Sequence, residues 1–319
     1  MNVELLIAHN NKLYQPIVEE GIKWTTERSG SPSTLKFTVI KDDIIAFQEG
    51  DAVRMKVDGQ EVFFGFVFSK KRNKNHHIEV TAYDQLRYLK NKDTYVYENK
   101  TASQVIKMIA NDFNLNLGKI ESTKYVIPSR VEDNQSLFDI IQNALDQELQ
   151  NNGEMFCLYD KFGSLTLQNI ASMKLDIPIN ADVAEDFSYT SSIDQNTYNK
   201  IKLTYDNEDV GEREVYIAQD SKNMNSWGIL QYFEKLQKGD NGKAKADALL
   251  KLYNKKTRNL KVDNCFGDVR CRAGTMVPVQ LYLGDITVSN YLLVEKATHI
   301  FNNDQHLMSL NLRGGEFIA

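Results

Sequence analysis

The sequence predicts a mixed, β-rich α+β protein made of two related β-barrels, a small α+β domain between them and a helical insertion in the second barrel. Three observations carry this. Apolar residues alternate with period 2 towards both ends of the chain, they recur at helical spacing in the middle, and several landmarks of the first β region return in the same order in the last. With 319 residues, 42% hydrophobic and 25% charged, the composition is that of an ordinary globular protein with two or three cores.

From Met1 to about Asp93, short alternating runs are separated by turn signals, with TLKFTVI, DAVRMKVDG, EVFFGFVFSK and HIEVTAYD the clearest. Residues 1–94 are therefore expected to form the first barrel. In EVFFGFVFSK both alternating sets are apolar. Val62, Phe64, Phe66 and Phe68 share one face, and Phe63 and Val67 flank Gly65 on the other, so the strand should be covered on both sides.

The period then changes. Thr101 opens a capping box with Gln104, and Ala102, Val105, Ile106, Ile109, Ala110 and Phe113 fall on one helical face. A second helix starts near Ser136 with Asp139 as its box partner and turns Leu137, Ile140, Ile141, Ala144 and Leu145 inward. EMFCLYD and GSLTLQN follow as a hairpin across a Lys-Phe-Gly turn, so residues 95–180 read as the α+β domain.

Residues 181–319 return to β-strands and repeat the first region. TLKFTV resembles NKIKLTY, with Leu35 matching Ile201 at an offset of 166 residues. GDAVRMKV resembles GTMVPVQL, with Gly50 matching Gly274 at an offset of 224. Apolar strands ending in Lys70 and Lys296 follow, each leading through a polar hairpin tip to a strand headed by His77 or His306. The difference of 58 residues between the two offsets places an insertion at about 206–263, with a Trp227 loop and a helix whose inward face is Ala246, Leu249, Leu250 and Tyr253.

The net charge of −5 opposes any dedicated role in gripping nucleic-acid phosphates. The amino end lacks a basic n-region and reads as cytoplasmic, and the longest apolar run, VFFGFVF, is far short of the ~20 residues of a membrane-spanning helix. Cys157, Cys265 and Cys271 have neither CxxC nor Cys/His spacing, which suits buried free thiols.

No nucleophile elbow, Walker loop, dinucleotide fingerprint or zinc spacing is present, and the carboxylates of DDIIAFQEGD and DNEDVGERE fall in turns. Neither a catalytic centre nor a cofactor is expected. His299 and His306 flank FNNDQ. If Asn302 and Asn303 form a two-residue loop, the two histidines sit opposite one another, a pair that lacks a third ligand for a metal. Lys70, Lys71, Arg72, Lys74, His76 and His77 form a concentrated basic cluster. It reads as a solvated hairpin tip or, with Lys70, Lys71 and Arg72 leading, as a docking patch for an acidic neighbour.

The runs WTTERSGSPSTLKF, EGDAVRMKVDGQEVFFGFVFSKKR and VTAYDQLRYLKNKDTYVYENKTASQVIKMIA resemble the XkdQ/YqbQ family of phage-like elements. So do SSIDQNTYNKIKL, WGILQYFEK and THIFNNDQHLMSLNL, and the similarity extends over nearly the whole chain. The resemblance implies a structural hub of a contractile phage tail, late control gene D-like and similar to the hub part of type VI secretion spikes. It implies two tube-like barrels per chain and a homotrimer, with the tail tube or tube initiator, central spike and baseplate wedge proteins as partners. The product would assemble into a virion or a headless, bacteriocin-like contractile injection particle. On this reading the fold-signature and interface residues are Trp24, Gly50, Phe63, Gly65, Tyr83, Asp84 and Leu86 in the first barrel and Gly274, Val277, His299, His306 and Met308 in the second. Two rival readings are a peptidoglycan-cleaving tail enzyme and a tail-tip carbohydrate-binding module.

Overall fold

The computed structural model describes residues 1–314 apart from 43, 195, 208–210, 237–239 and 283–286. Most strands belong to one large sheet. In its first half the order is Ile22–Glu27, Thr34–Ile40, His77–Tyr83, Gln60–Arg72, Ala52–Val57 and Val3–His9. In its second half Asp186–Ser192, Thr257–Phe266, His306–Arg313, Thr287–Phe301, Met276–Tyr282 and Ile179–Asn180 follow one another in the same arrangement. The last neighbours differ in sense, because Val3–His9 runs antiparallel to Ala52–Val57 whereas Ile179–Asn180 runs parallel to Met276–Tyr282. Among the described strands the pairing path is open at both ends, and neither half closes into a ring.

The correspondence holds residue by residue. Trp24, Leu35 and Ala82 lie in one cross-strand row, and Tyr189, Leu260 and Leu312 form the matching row of the second half. Each row meets a β-bulge in the next strand, just past Val67 in the first and just past Val294 in the second. At that bulge Gly50 donates its N–H to the Val67 carbonyl and Gly274 donates to the Val294 carbonyl, both at 2.8 Å. Both glycines have left-handed backbones, with φ of +91° and +92°, which a side chain would strain. Gly50 and Gly274 are therefore equivalent positions, as the sequence pattern requires.

Lys70 and Lys296, and likewise His77 and His306, fall one residue out of register, and the match of Leu35 with Ile201 fails altogether. Lys200–Asn207 does not lie in the large sheet. It is the middle strand of a separate three-stranded sheet with Glu212–Gln219 and Gln231–Lys235, and the helix Gly242–Tyr253 packs Ala246 and Leu249 against this sheet. The true counterpart of Thr34–Ile40 is Thr257–Phe266, a strand that the sequence reading had assigned to the insertion. The error has a simple cause, since TLKFTV and KIKLTY share an alternation that many half-buried strands have. Residues 28–33 connect the first pair of strands and residues 193–256 the equivalent pair, so the interruption of the second half lies nearer the amino end than 206–263.

The middle region follows the helical stripes. Helix Ala102–Asp112 has its capping box of Thr101 and Gln104, and Ser136 caps Leu137–Asn152 by accepting the Asp139 N–H. Val105, Ile106, Ile109, Leu137, Ile140 and Ile141 meet in one core with Leu165 and Leu167 of the hairpin strands Phe156–Asp160 and Leu165–Asn169. Phe113 packs at its edge only half buried. All three cysteines are buried free thiols.

Candidate assembly interface

The two halves of the sheet are joined along one seam. Ile22–Glu27 pairs antiparallel with residues 296–301 of the strand Thr287–Phe301, setting Trp24 directly opposite His299 and Thr25 opposite Thr298. Trp24 is buried and donates its indole N–H to the Ser33 hydroxyl at 2.8 Å. Its ring stacks on His299 with centroids 4.9 Å apart. Ion pairs border the seam, with Arg28 Nε 2.7 Å from Glu295 and Lys296 Nζ 2.7 Å from Glu27.

The histidines meet in a different register from the expected one. The Asn302 N–H bonds to the Gln305 carbonyl, so the loop is longer than two residues and His306 faces Phe301 while His299 faces Met308. The imidazoles still touch diagonally, with His299 Nδ1 2.9 Å from His306 Nε2. His299 Nε2 lies 2.7 Å from the Cys271 carbonyl and must donate to it, so Nδ1 accepts from His306. Both rings are thereby engaged by their neighbours. Among the described residues there is no group of three His, Cys, Asp or Glu able to hold a metal. Burial lowers His299 to a pKa of about 3 and His306 to about 4, the nearby His306 ring adding to the effect on His299.

Gly65 lies in the large sheet where there is no room for a side chain, since a Cβ there would sit 2.2 Å from the Tyr83 carbonyl oxygen. Phe63 and Val67 are buried in the first core, and Met308 and Val277 in the second. Phe64, Phe66 and Phe68 on the opposite face are half covered by rings of the same chain, Phe162 on Phe64 and Tyr88 on Phe66 and Phe68. The strand is thus covered on both sides without a second copy.

Asp84 ties the first half to the middle region. It is buried, accepts N–H bonds from Ser33 and Leu86, and starts the short helix Gln85–Lys90 in which Leu86 is buried. Burial and the neighbouring charge of Asp160 push its pKa well above the carboxylate range. Gln85 donates to Asp160 at 2.8 Å, and Arg272 of the second half donates to the Asp160 carbonyl at 2.9 Å. All three regions converge here, and the carboxylates sit inside the fold rather than in an open cleft.

Several seam residues escaped the sequence reading. Thr26 accepts the Ala273 N–H, Arg28 pairs with Glu295, and Arg272 lies 4.0 Å over the Tyr159 ring. Nothing in their local pattern marks them, because each finds its partner more than 100 residues away. The basic hairpin tip is partly engaged, with Lys70 reaching the Phe47 carbonyl and Glu49, and Lys71 near Glu79. Arg72 and Lys74 are exposed and form no ion pair among the described residues.

The architecture has relatives. Two Bacillus subtilis proteins, YqbQ and the phage-like element PBSX protein XkdQ, are each 28% identical to this chain over 97% of its length and 96% of theirs. The 43 kDa tail protein of prophage MuSo2 from Shewanella oneidensis shares the fold, with a TM-score of 0.70 at 13% identity over 97% of this chain and 98% of its own. So does the E. coli c3393 protein, a type VI secretion component described as similar to the T4 tail proteins gp27 and gp5. Its TM-score is 0.60 at 11% identity, over 98% of this chain and 78% of that one. A family description, YQBQ-like, matches residues 22–313, a span that holds the seam, the inserted unit and every strand of the large sheet from Ile22–Glu27 onward, and the chain belongs to the YQBQ-like family.

Proposed function

We propose that this protein is the structural hub of a contractile phage tail or a headless tail-like particle, joining the tail tube to the central spike. Three copies would close a ring in which each chain supplies two similar tube segments, giving six docking elements to a sixfold tube. The observation that carries this reading is the repeated strand order, with Gly50 and Gly274 at equivalent bulges. The fold shared with phage tail proteins and the family membership support it.

The units of such a hub would be a first tube segment over residues 1–94, an α+β unit over 95–180 and a second tube segment over 181–319, interrupted at 193–256. The tube or tube initiator, the spike and the wedge proteins are its proposed partners, and the assembled particle its proposed location. The role is assembly, with no reaction assigned to any residue.

The test is electron cryomicroscopy of particles carrying a tagged copy of this chain. The reading expects a threefold ring at the end of the tube with six similar lobes facing it. A sixfold ring of this chain, one lobe per subunit at the tube, or particles lacking the chain would each overturn it.

A further inference from the structure

The two halves differ in one respect that their symmetry does not explain. Within the chain, residues 296–301 are flanked by His306–Arg313 on one side and by Ile22–Glu27 on the other. The equivalent strand residues of the first half, 69–72, have His77–Tyr83 on one side, and no described strand lies on the other. Likewise Ile22–Glu27 is paired on both sides, whereas its counterpart Asp186–Ser192 pairs only with Thr257–Phe266 and ends the sheet. One chain thus carries two open edges whose counterparts are mates in the seam.

We infer that Asp186–Ser192 of one copy adds to the open side of residues 69–72 of the next copy, in the register that Ile22–Glu27 uses within the chain. This rests on the ring reading above and gives it its contacts. The register follows from the equivalent rows. Tyr189 stands where Trp24 stands, and counting from the bulges after Val67 and Val294 puts Arg72 where His299 stands. Tyr189 of one copy then faces Arg72 of the next. Thr190 faces Lys71, as Thr25 faces Thr298, whose hydroxyls lie 3.4 Å apart within the chain.

Charge favours the pairing. The open strand 69–72 carries Lys70, Lys71 and Arg72, with Lys74 in the turn that follows, while Asp186–Ser192 begins with Asp186 and is flanked by Asp182, Glu185 and Asp194. In the inferred register the Tyr189 ring lies beside the Arg72 guanidinium, a cation–π arrangement, and the chain runs on from there to Glu185 in the direction of the hairpin turn that carries Lys74. Lysines on an open edge repel most strands and keep the free monomer from aggregating. A strand set among carboxylates is the partner such an edge admits. Because the two edges differ, the contact is head to tail and closes only when the rotation between copies completes a ring.

The test is disulfide cross-linking of the full chain in assembled particles and, at high concentration, in solution. Thr25→Cys/Thr298→Cys, which should link within one chain, calibrates the geometry. Lys71→Cys/Thr190→Cys is expected to give covalent trimers on a non-reducing gel, and the off-register pair Lys71→Cys/Ser188→Cys few. A second measurement reverses charge. Arg72→Glu/Lys74→Glu should weaken assembly about tenfold, and Glu185→Lys should restore a substantial part of it. Trimers without in-register cross-links or charge rescue would overturn the strand pairing and leave the ring reading standing. Absence of trimers both in the particle and in solution would overturn both.

Discussion

The indole of Trp24 lies 4.9 Å from the imidazole of His299, centroid to centroid, across the seam that makes the two halves of the sheet continuous. One half of this contact comes from residue 24 and the other from residue 299, so the first and last thirds of the chain must both be folded before it forms.

The seam should be acid-sensitive. Both histidines are held neutral, with pKa values of about 3 and 4 against an ordinary 6.5. The unfolded chain takes up protons as pH falls below ~6.5 while the folded chain does not, so folding stability is full above that pH and is lost progressively towards pH 4. The buried His299 contributes up to about 1.4 kcal/mol per pH unit in this window, and the more exposed His306 less. Denaturant titrations from pH 7 to 4 should give a flatter stability profile for His299→Gln than for the wild type. Parallel profiles would assign the acid sensitivity elsewhere.

Trp24→Ala should cost about 3–5 kcal/mol by emptying a buried aromatic site. Trp24→Phe fills most of the space but leaves the Ser33 hydroxyl without its 2.8 Å donor, and should cost about 1–2 kcal/mol. Calorimetric or chemical unfolding ranks the two, and equal losses would mean that the hydrogen bond dominates the packing.

The paired glycines should respond unequally to alanine. At Gly50 a Cβ meets open space, so Gly50→Ala pays only for the left-handed backbone, about 1–2 kcal/mol. At Gly274 a Cβ would also sit 2.5 Å from the Cys157 sulfur, so Gly274→Ala should cost more. A double-mutant cycle with Cys157→Ala isolates that difference, and zero coupling would refute the steric account.

The inserted unit should be removable. Ser192 pairs directly with Thr257, so residues 193–256 leave and re-enter the large sheet at adjacent positions. Replacing them with the six-residue turn 28–33 should preserve the second-half core, as judged by protection of the Val262, Leu310 and Leu312 amides in hydrogen exchange. Uniform loss of that protection would make the unit part of the core rather than an addition to it.

Purified protein should release no soluble fragments from bacterial cell walls, because the electrostatically linked carboxylates Asp84 and Asp160 are buried in the fold. Release that Asp84→Asn or Asp160→Asn abolished would reverse the reading of this protein as purely structural.

The sequence by itself determined which segments alternate and which coil. The capping box at Thr101, the Ser136 cap, the inward stripes of both middle helices and the left-handed Gly50 and Gly274 are local requirements, written within a few neighbouring residues. The size of the excess is not among these, because the count of 58 rests on matching Leu35 with Ile201, and those residues lie in different sheets. Only the tertiary structure decided which strands are equivalent. Lys200–Asn207 and Thr257–Phe266 are both half-buried and alternating, and a strand's place in a sheet depends on the partner with which it exchanges hydrogen bonds rather than on its own pattern. The same holds for the His299 and His306 register, for the meeting of Asp84, Asp160 and Arg272, and for the two open edges. Each depends on residues distant in the chain, where burial and backbone pairing, not spacing, select the neighbour.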